Sequence, residues 1–148
     1  MSQTLEAKFD DYAQRVRDSL SAQPFMDKML GAGVRRIEPG LVEISLPVTE
    51  QLLQPHGNVH GIIASALADS AAGYAAQTLL PEGFDVVTVE YKINYLTAGI
   101  GEVFSAIGQV TRAGRTLSVY TADVYAENNG DKKLFAHMVT TMMAVASS

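Results

Sequence analysis

Asp69 is the only charged residue in GIIASALADSAAGYAAQTLL, the run from Gly61 to Leu80. Taking an unpaired carboxylate out of water costs on the order of several kcal/mol, which commonly appears as a raised pKa. A carboxyl held in that state is suited to accept a proton from water or to attack a carbonyl carbon itself. The alternative is a satisfied polar seam in the core, or an edge facing water at a subunit boundary, and spacing alone leaves both open.

If the run is helical, Gly61, Ser65, Asp69 and Gly73 fall four residues apart on one face, while Ile62, Ile63, Leu67 and Tyr74 mostly lie elsewhere. That face is narrow and small, with room for a slender ligand or a second backbone. Just upstream, QPHGNVHG sets His56 and His60 around Gly57 and Asn58. Two histidines at i and i+4 hold a metal only when a helix carries both and a further ligand converges. Here the glycine and asparagine predict a loop, so no metal is assigned. His137, inside a strand pattern, reads as a partly buried structural residue. First-turn N–H groups of a helix lack intrahelical acceptors and sit at the positive end of its dipole. Gly61 would present such a group, uncovered, to a developing oxyanion.

The surrounding elements must hold these groups in place. Leu5, Phe9, Tyr12, Val16 and Leu20 recur every three to four residues, which predicts an amphipathic cover helix ending before SAQP, with a short second turn in PFMDKMLGA. GVRRIEPGLVEISLPVT holds two short runs around Pro39-Gly40, and Val42, Ile44 and Leu46 alternate with polar residues as in a half-buried strand. The long helix is expected to reach Leu80, where PEGF stops it. Apolar all round, it should be buried on most sides. DVVTVEYKINYL, GEVFSAIGQVTR, RTLSVYTADVYAE and KLFAHMVTTMMAV then read as strands of an antiparallel meander, joined by the glycine-containing turns TAGIG, AG and NNGD. One sheet wrapped around one helix is the simplest way to bury that helix.

Composition bounds the function. A chain of 148 residues is one domain by size. A net charge of −5, with 11 basic residues spread along the chain, argues against nucleic acid, whose binding needs clustered Lys and Arg. The absence of cysteine excludes disulfides, thiolate catalysis and cysteine zinc sites. The N-terminus lacks the basic segment and apolar core of a secretory signal, so a cytoplasmic protein is expected. Asp69 in the middle of the apolar run, with no basic flanks, argues against a membrane span.

HGNVHGIIASALAD, then VVTVEYKINYL and the hairpin QVTRAGRTLSVYTADVY, resembles the hotdog-fold acyl-CoA thioesterases of the phenylacetic-acid-degradation type, from about Gly33 to Val145. The resemblance implies an α+β fold in which a long central helix is wrapped by a curved antiparallel β-sheet. Residues 1–30 would form the N-terminal helical segment and 31–148 the hotdog core. It implies acyl-CoA hydrolysis without a cofactor, by a homodimer that often pairs again, with the site at the dimer boundary. Gln54, His60 and Gly61 would come from one protomer, and Asp69 with Thr88 from the other. In that reading the Gly61 N–H polarises the thioester carbonyl, Gln54 positions substrate or water, and Asp69 is base or nucleophile. Thr88 holds the water and His60 shapes the loop. Asn58, Ser65 and Gly73 would line the substrate's path, and Arg112 and Arg115 would meet the CoA phosphates or simply flank a solvated turn. Two positions depart from the family pattern: Ile62 stands where many relatives have a second glycine, and Gly73 where some have a hydroxyl. Two other functions fit the same fold. A hydratase or dehydratase would use His56 with Asp69, although NVHGII lacks the Pro-Gly turn such enzymes carry. A non-catalytic acyl-CoA-binding module is the other.

Overall fold

The computed structural model describes residues 4–148. Helix α1 (Tyr12–Ser21) buries Val16 and Leu20, and a single π-helical turn follows at Phe25–Met29. The expected helix is cut short at its N-terminal end. Leu5 instead runs against the turn at Gly40, where an added Cβ would lie 2.9 Å from its methyl group. Phe9 stacks under the Arg15 guanidinium, 5.4 Å from the ring centre. Packing onto the sheet has outweighed local periodicity there.

The two short runs around Pro39-Gly40 are β1 (Gly33–Glu38) and β2 (Leu41–Pro47), paired as a hairpin with Val42, Ile44 and Leu46 buried. Helix α2 (Gly61–Gln77) follows, then β3 (Phe84–Tyr95), β4 (Val103–Arg112), β5 (Leu117–Asn128) and β6 (Asp131–Ala146). The helix ends three residues before Leu80. Arg15 of α1 donates to the carbonyls of Leu80 (3.0 Å), Pro81 (3.1 Å) and Phe84, satisfying groups that the helix and its exit turn leave unpaired.

One six-stranded sheet forms, in the order β1-β2-β4-β5-β6-β3, with antiparallel neighbours throughout. This corrects the expected four-strand meander. Only β4, β5 and β6 follow one another; β3 pairs with β6 and becomes an outer edge. TAGIG is therefore no hairpin. It crosses the end of the sheet, where the Val59 N–H donates to the Gly99 carbonyl at 2.7 Å. Turn residues announce a change of direction but not which strand comes next, so local chemistry missed the crossover.

The sheet curls around α2, which packs against β2 through β6. Ala64, Leu67, Ala68, Ala71, Ala72 and Ala75 are fully buried, as expected for a helix apolar on all sides. Small residues let the layers approach closely. A Cβ at Gly108 of β4 would lie 2.3 Å from the Ala71 carbonyl carbon, so no other residue fits there. Truncating the fully buried Leu67 to Ala would cost about 2–5 kcal/mol, because the surrounding layers relax only partly into the cavity.

Candidate active site

Asp69 lies on α2, half buried, and its Oδ1 accepts a hydrogen bond from Thr88 Oγ1 on β3 at 2.8 Å. Burial pushes the Asp69 carboxyl above its ordinary value, and the Thr88 hydrogen bond opposes the shift only in part. The pair that the resemblance drew from one protomer is thus in contact within one chain. The sequence concealed how Thr88 gets there. Strict alternation along β3 would set Thr88 on the face opposite Tyr91, Ile93 and Tyr95. The pairing with β6 slips between Thr88 and Glu90, a bulge at Val89 that resets the alternation. Both Thr88 and Tyr95 consequently bond to α2.

The N-terminus of α2 forms the second half of the site. His60 is the N-cap: its Nδ1 accepts the Ile62 N–H at 3.3 Å and its carbonyl accepts the Ile63 N–H at 3.0 Å. The Gly61 N–H meets no acceptor among the described residues. Upstream, Gln54 and Asn58 close a tight loop through a backbone hydrogen bond of 2.7 Å, flanked by the Leu53–Val59 bridge. Gln54, Asn58, Gly61, Tyr95, Gly99 and Phe135 line an open cavity of ≈ 330 Å³ beside that turn.

The other candidates disperse. His56 is exposed on the loop and makes no hydrogen bond to Asp69 among the described residues. His137, partly buried as expected, sits 2.6 Å from Asp123 Oδ1 across β5 and β6, on the outer side of the sheet. Arg112 and Arg115 are exposed around the β4–β5 turn. Arg115 lines a cavity with Leu79, Leu80 and Phe84, past the end of α2, whose last residue Gln77 already lies about 12 Å along the axis from Asp69. Ser65 is buried on the Asp69 face, and Gly73 opens onto free space, since a Cβ there would touch nothing within 4 Å. Sequence reasoning missed Tyr95, whose hydroxyl lies 2.8 Å from Ser65 Oγ and donates to the Gly61 carbonyl at 2.9 Å. The available signal was a Tyr at the end of a strand facing a glycine-led helix, which propensity alone reads as packing.

A raised carboxyl with a hydroxyl partner, and a free N–H at the head of the same helix, have the chemistry that acyl transfer uses, and the fold that carries them is a hotdog. The chain belongs to the thioesterase superfamily, whose family model matches residues 56–133. It is 28% identical over 109 residues to the acyl-coenzyme A thioesterase PaaI of Escherichia coli, covering 73% of this chain and 76% of that one. It is 36% identical over 70 residues to the proofreading thioesterase EntH of Klebsiella pneumoniae, 47% of this chain and 51% of the relative. The crystal structure of a thioesterase family protein from Silicibacter pomeroyi superposes with a TM-score of 0.88 at 43% identity, covering 92% of this chain and 99% of that one. No helix among the described residues is long and apolar enough to cross a membrane.

Proposed function

We propose that the chain hydrolyses acyl-CoA thioesters to free acid and CoA, with Asp69 as the base or nucleophile and the Gly61 N–H as the oxyanion donor. The observation that carries this reading is the half-buried Asp69, raised in pKa and held by Thr88. An Asp69 carboxylate takes a proton from water, and the resulting hydroxide attacks the thioester carbon. The tetrahedral oxyanion accepts the Gly61 N–H. Collapse expels CoA thiolate, which takes the proton back from Asp69. In the alternative route the carboxylate attacks first and water opens the resulting anhydride.

The two groups belong to different copies of the chain in this reading. Gly61 and Asp69 are eight residues apart on one helix, about 12 Å along its axis, too far to serve one carbonyl group. Antiparallel pairing of two β3 edges would bring the Gly61 of one protomer toward the Asp69 and Thr88 of its partner. Gln54 and Asn58 would then flank the acyl carbonyl. Arg115, with Arg112, would meet the CoA phosphates near the surface.

The test is a panel of aryl, phenylacetyl and medium-chain acyl-CoA thioesters turned over by wild type and by Asp69→Asn. Wild type should hydrolyse at least one class, and the variant should bind it without turnover. Near-normal hydrolysis by Asp69→Asn would remove the assignment.

A further inference from the structure

We propose that Tyr95 is the positioning residue of the Gly61 turn: its hydroxyl, oriented by Ser65, clamps the Gly61 carbonyl and restricts the glycine whose N–H receives the oxyanion. The inference rests on the hydrolytic reading above and adds to it a residue which that reading does not use.

Hydrogen-bond bookkeeping sets the direction of the clamp. Tyr95 Oη lies 2.9 Å from the Gly61 carbonyl and 2.8 Å from Ser65 Oγ. A carbonyl can only accept, and a phenol has one proton to give, so Tyr95 donates to Gly61 and Ser65 donates to Tyr95. The ring itself lies against the glycine. A Cβ on Gly61 would sit 3.0 Å from Tyr95 Cζ and 3.1 Å from Oη. On the other side of the same peptide group, the Ile62 N–H donates to His60 Nδ1 at 3.3 Å.

The Gly61–Ile62 peptide is therefore held at both poles, its carbonyl by Tyr95 and its N–H by His60. The Gly61 N–H belongs to the preceding peptide, which is held by the His60 carbonyl accepting the Ile63 N–H at 3.0 Å, so Gly61 sits between two held peptide planes with the Tyr95 ring over its Cα. This matters because glycine is the freest residue, while an oxyanion donor works by being aimed before the charge develops. Gly61 leaves its N–H uncovered, and Tyr95 adds a side-chain hold to the restraint that the first turn of α2 already places on the glycine.

Burial within one copy of the chain does not account for the hydroxyl. Tyr95 is 49% exposed, and its ring contact with Phe135, 5.9 Å between centroids, would survive in phenylalanine.

The experiment is steady-state hydrolysis of one acyl-CoA by wild type, Tyr95→Phe, Ser65→Ala, the double variant and Asp69→Asn, with Tm measured for each. Tyr95→Phe should lower kcat by about tenfold while KM stays within about twofold and Tm is unchanged, the pattern of an interaction felt only in the transition state. Ser65→Ala should lower kcat by about threefold, and the double variant should be no slower than Tyr95→Phe, because Ser65 acts through the hydroxyl. Wild-type kcat in Tyr95→Phe, a change confined to KM, or multiplicative losses in the double variant would each overturn the proposal. Should Tyr95→Phe lose stability, Ser65→Ala decides with the ring in place: a kcat loss at constant KM supports the clamp, and wild-type kcat overturns it. Asp69→Asn separates the two layers. If it stays active, the hydrolytic reading itself falls; if it is dead while Tyr95→Phe is fully active, only the clamp does.

Discussion

The two edges of the sheet are finished differently. β1 is six residues long, bulged between Val34 and Arg36, flanked by α1, and studded with charge. Arg35 grips both carboxylate oxygens of Glu127, at 2.6 and 3.0 Å, and Arg36 pairs with Glu38 at 2.7 Å. β3 is twelve residues long and leaves Val87, Val89, Tyr91 and Tyr95 between 43 and 53% exposed. Both edges carry a bulge, but a short, charged edge resists pairing, whereas a long edge exposing apolar side chains is a template for another strand. Asp69 with Thr88, and Gly61 with Tyr95, all lie along the open side. The difference teaches that β1 is the closed edge and β3 the open one, to which the proposed second copy would pair, and that the candidate groups gather on that side.

The largest expected effect is at Asp69. Asp69→Asn should reduce hydrolysis by about 10²–10⁴-fold, the usual contribution of a general base. The same variant should unfold at a higher temperature at neutral pH. A carboxyl whose folded pKa is raised contributes stability below its unfolded pKa that is lost as pH rises through the folded value, and asparagine removes that loss while still accepting from Thr88. In wild type the rate should fall as pH drops through the raised Asp69 pKa, measured as a kcat/KM profile.

Next in size is the edge itself. Val87→Lys with Val89→Lys should give a monomer by sedimentation and abolish hydrolysis while leaving the far-ultraviolet spectrum unchanged. A dimer that persists through both lysines would show that the second copy docks elsewhere. The same treatment of β1 should do little. Arg35→Ala should cost about 1 kcal/mol in urea unfolding, with hydrolysis intact, because Glu127 and Glu43 lose their forked partner and keep only Lys132 and, for Glu127, Ser105. Arg35 holds the Glu127 carboxyl down to about 2, so the stability it contributes is present above the ordinary carboxylate range and lost as pH falls toward that value. Acid unfolding of Arg35→Ala should therefore begin at higher pH than in wild type. Smallest of all, Arg115→Ala should raise KM by about two- to fivefold without changing kcat, the loss of one exposed charge contact to phosphate.

Much of this was legible in the residues. The lone charge in GIIASALADSAAGYAAQTLL gave the helix, its burial and Asp69 together, because an apolar run of that length has few other places to go. The QPHGNVHG loop and the free N–H of Gly61 followed from glycine and capping chemistry. Three features were hidden, each set by tertiary contact. Nothing in TAGIG distinguishes a hairpin from a crossover, so the position of β3 at the edge was invisible. The bulge at Val89 reverses the alternation that would have turned Thr88 outward. Tyr95 looked like an ordinary strand aromatic until the fold laid its hydroxyl on Gly61.

The central claim is that each site takes Asp69 from one protomer and Gly61 from its partner across the β3 edge. Mixing two inactive variants tests it directly: Asp69→Asn and Gly61→Val, each purified alone, then unfolded together and refolded at equal amounts. Random pairing makes half of the dimers mixed, each with one intact site, so the account predicts recovery of about a quarter of wild-type activity. If the mixture stays as inactive as its parents while forming mixed dimers, the composite site is contradicted.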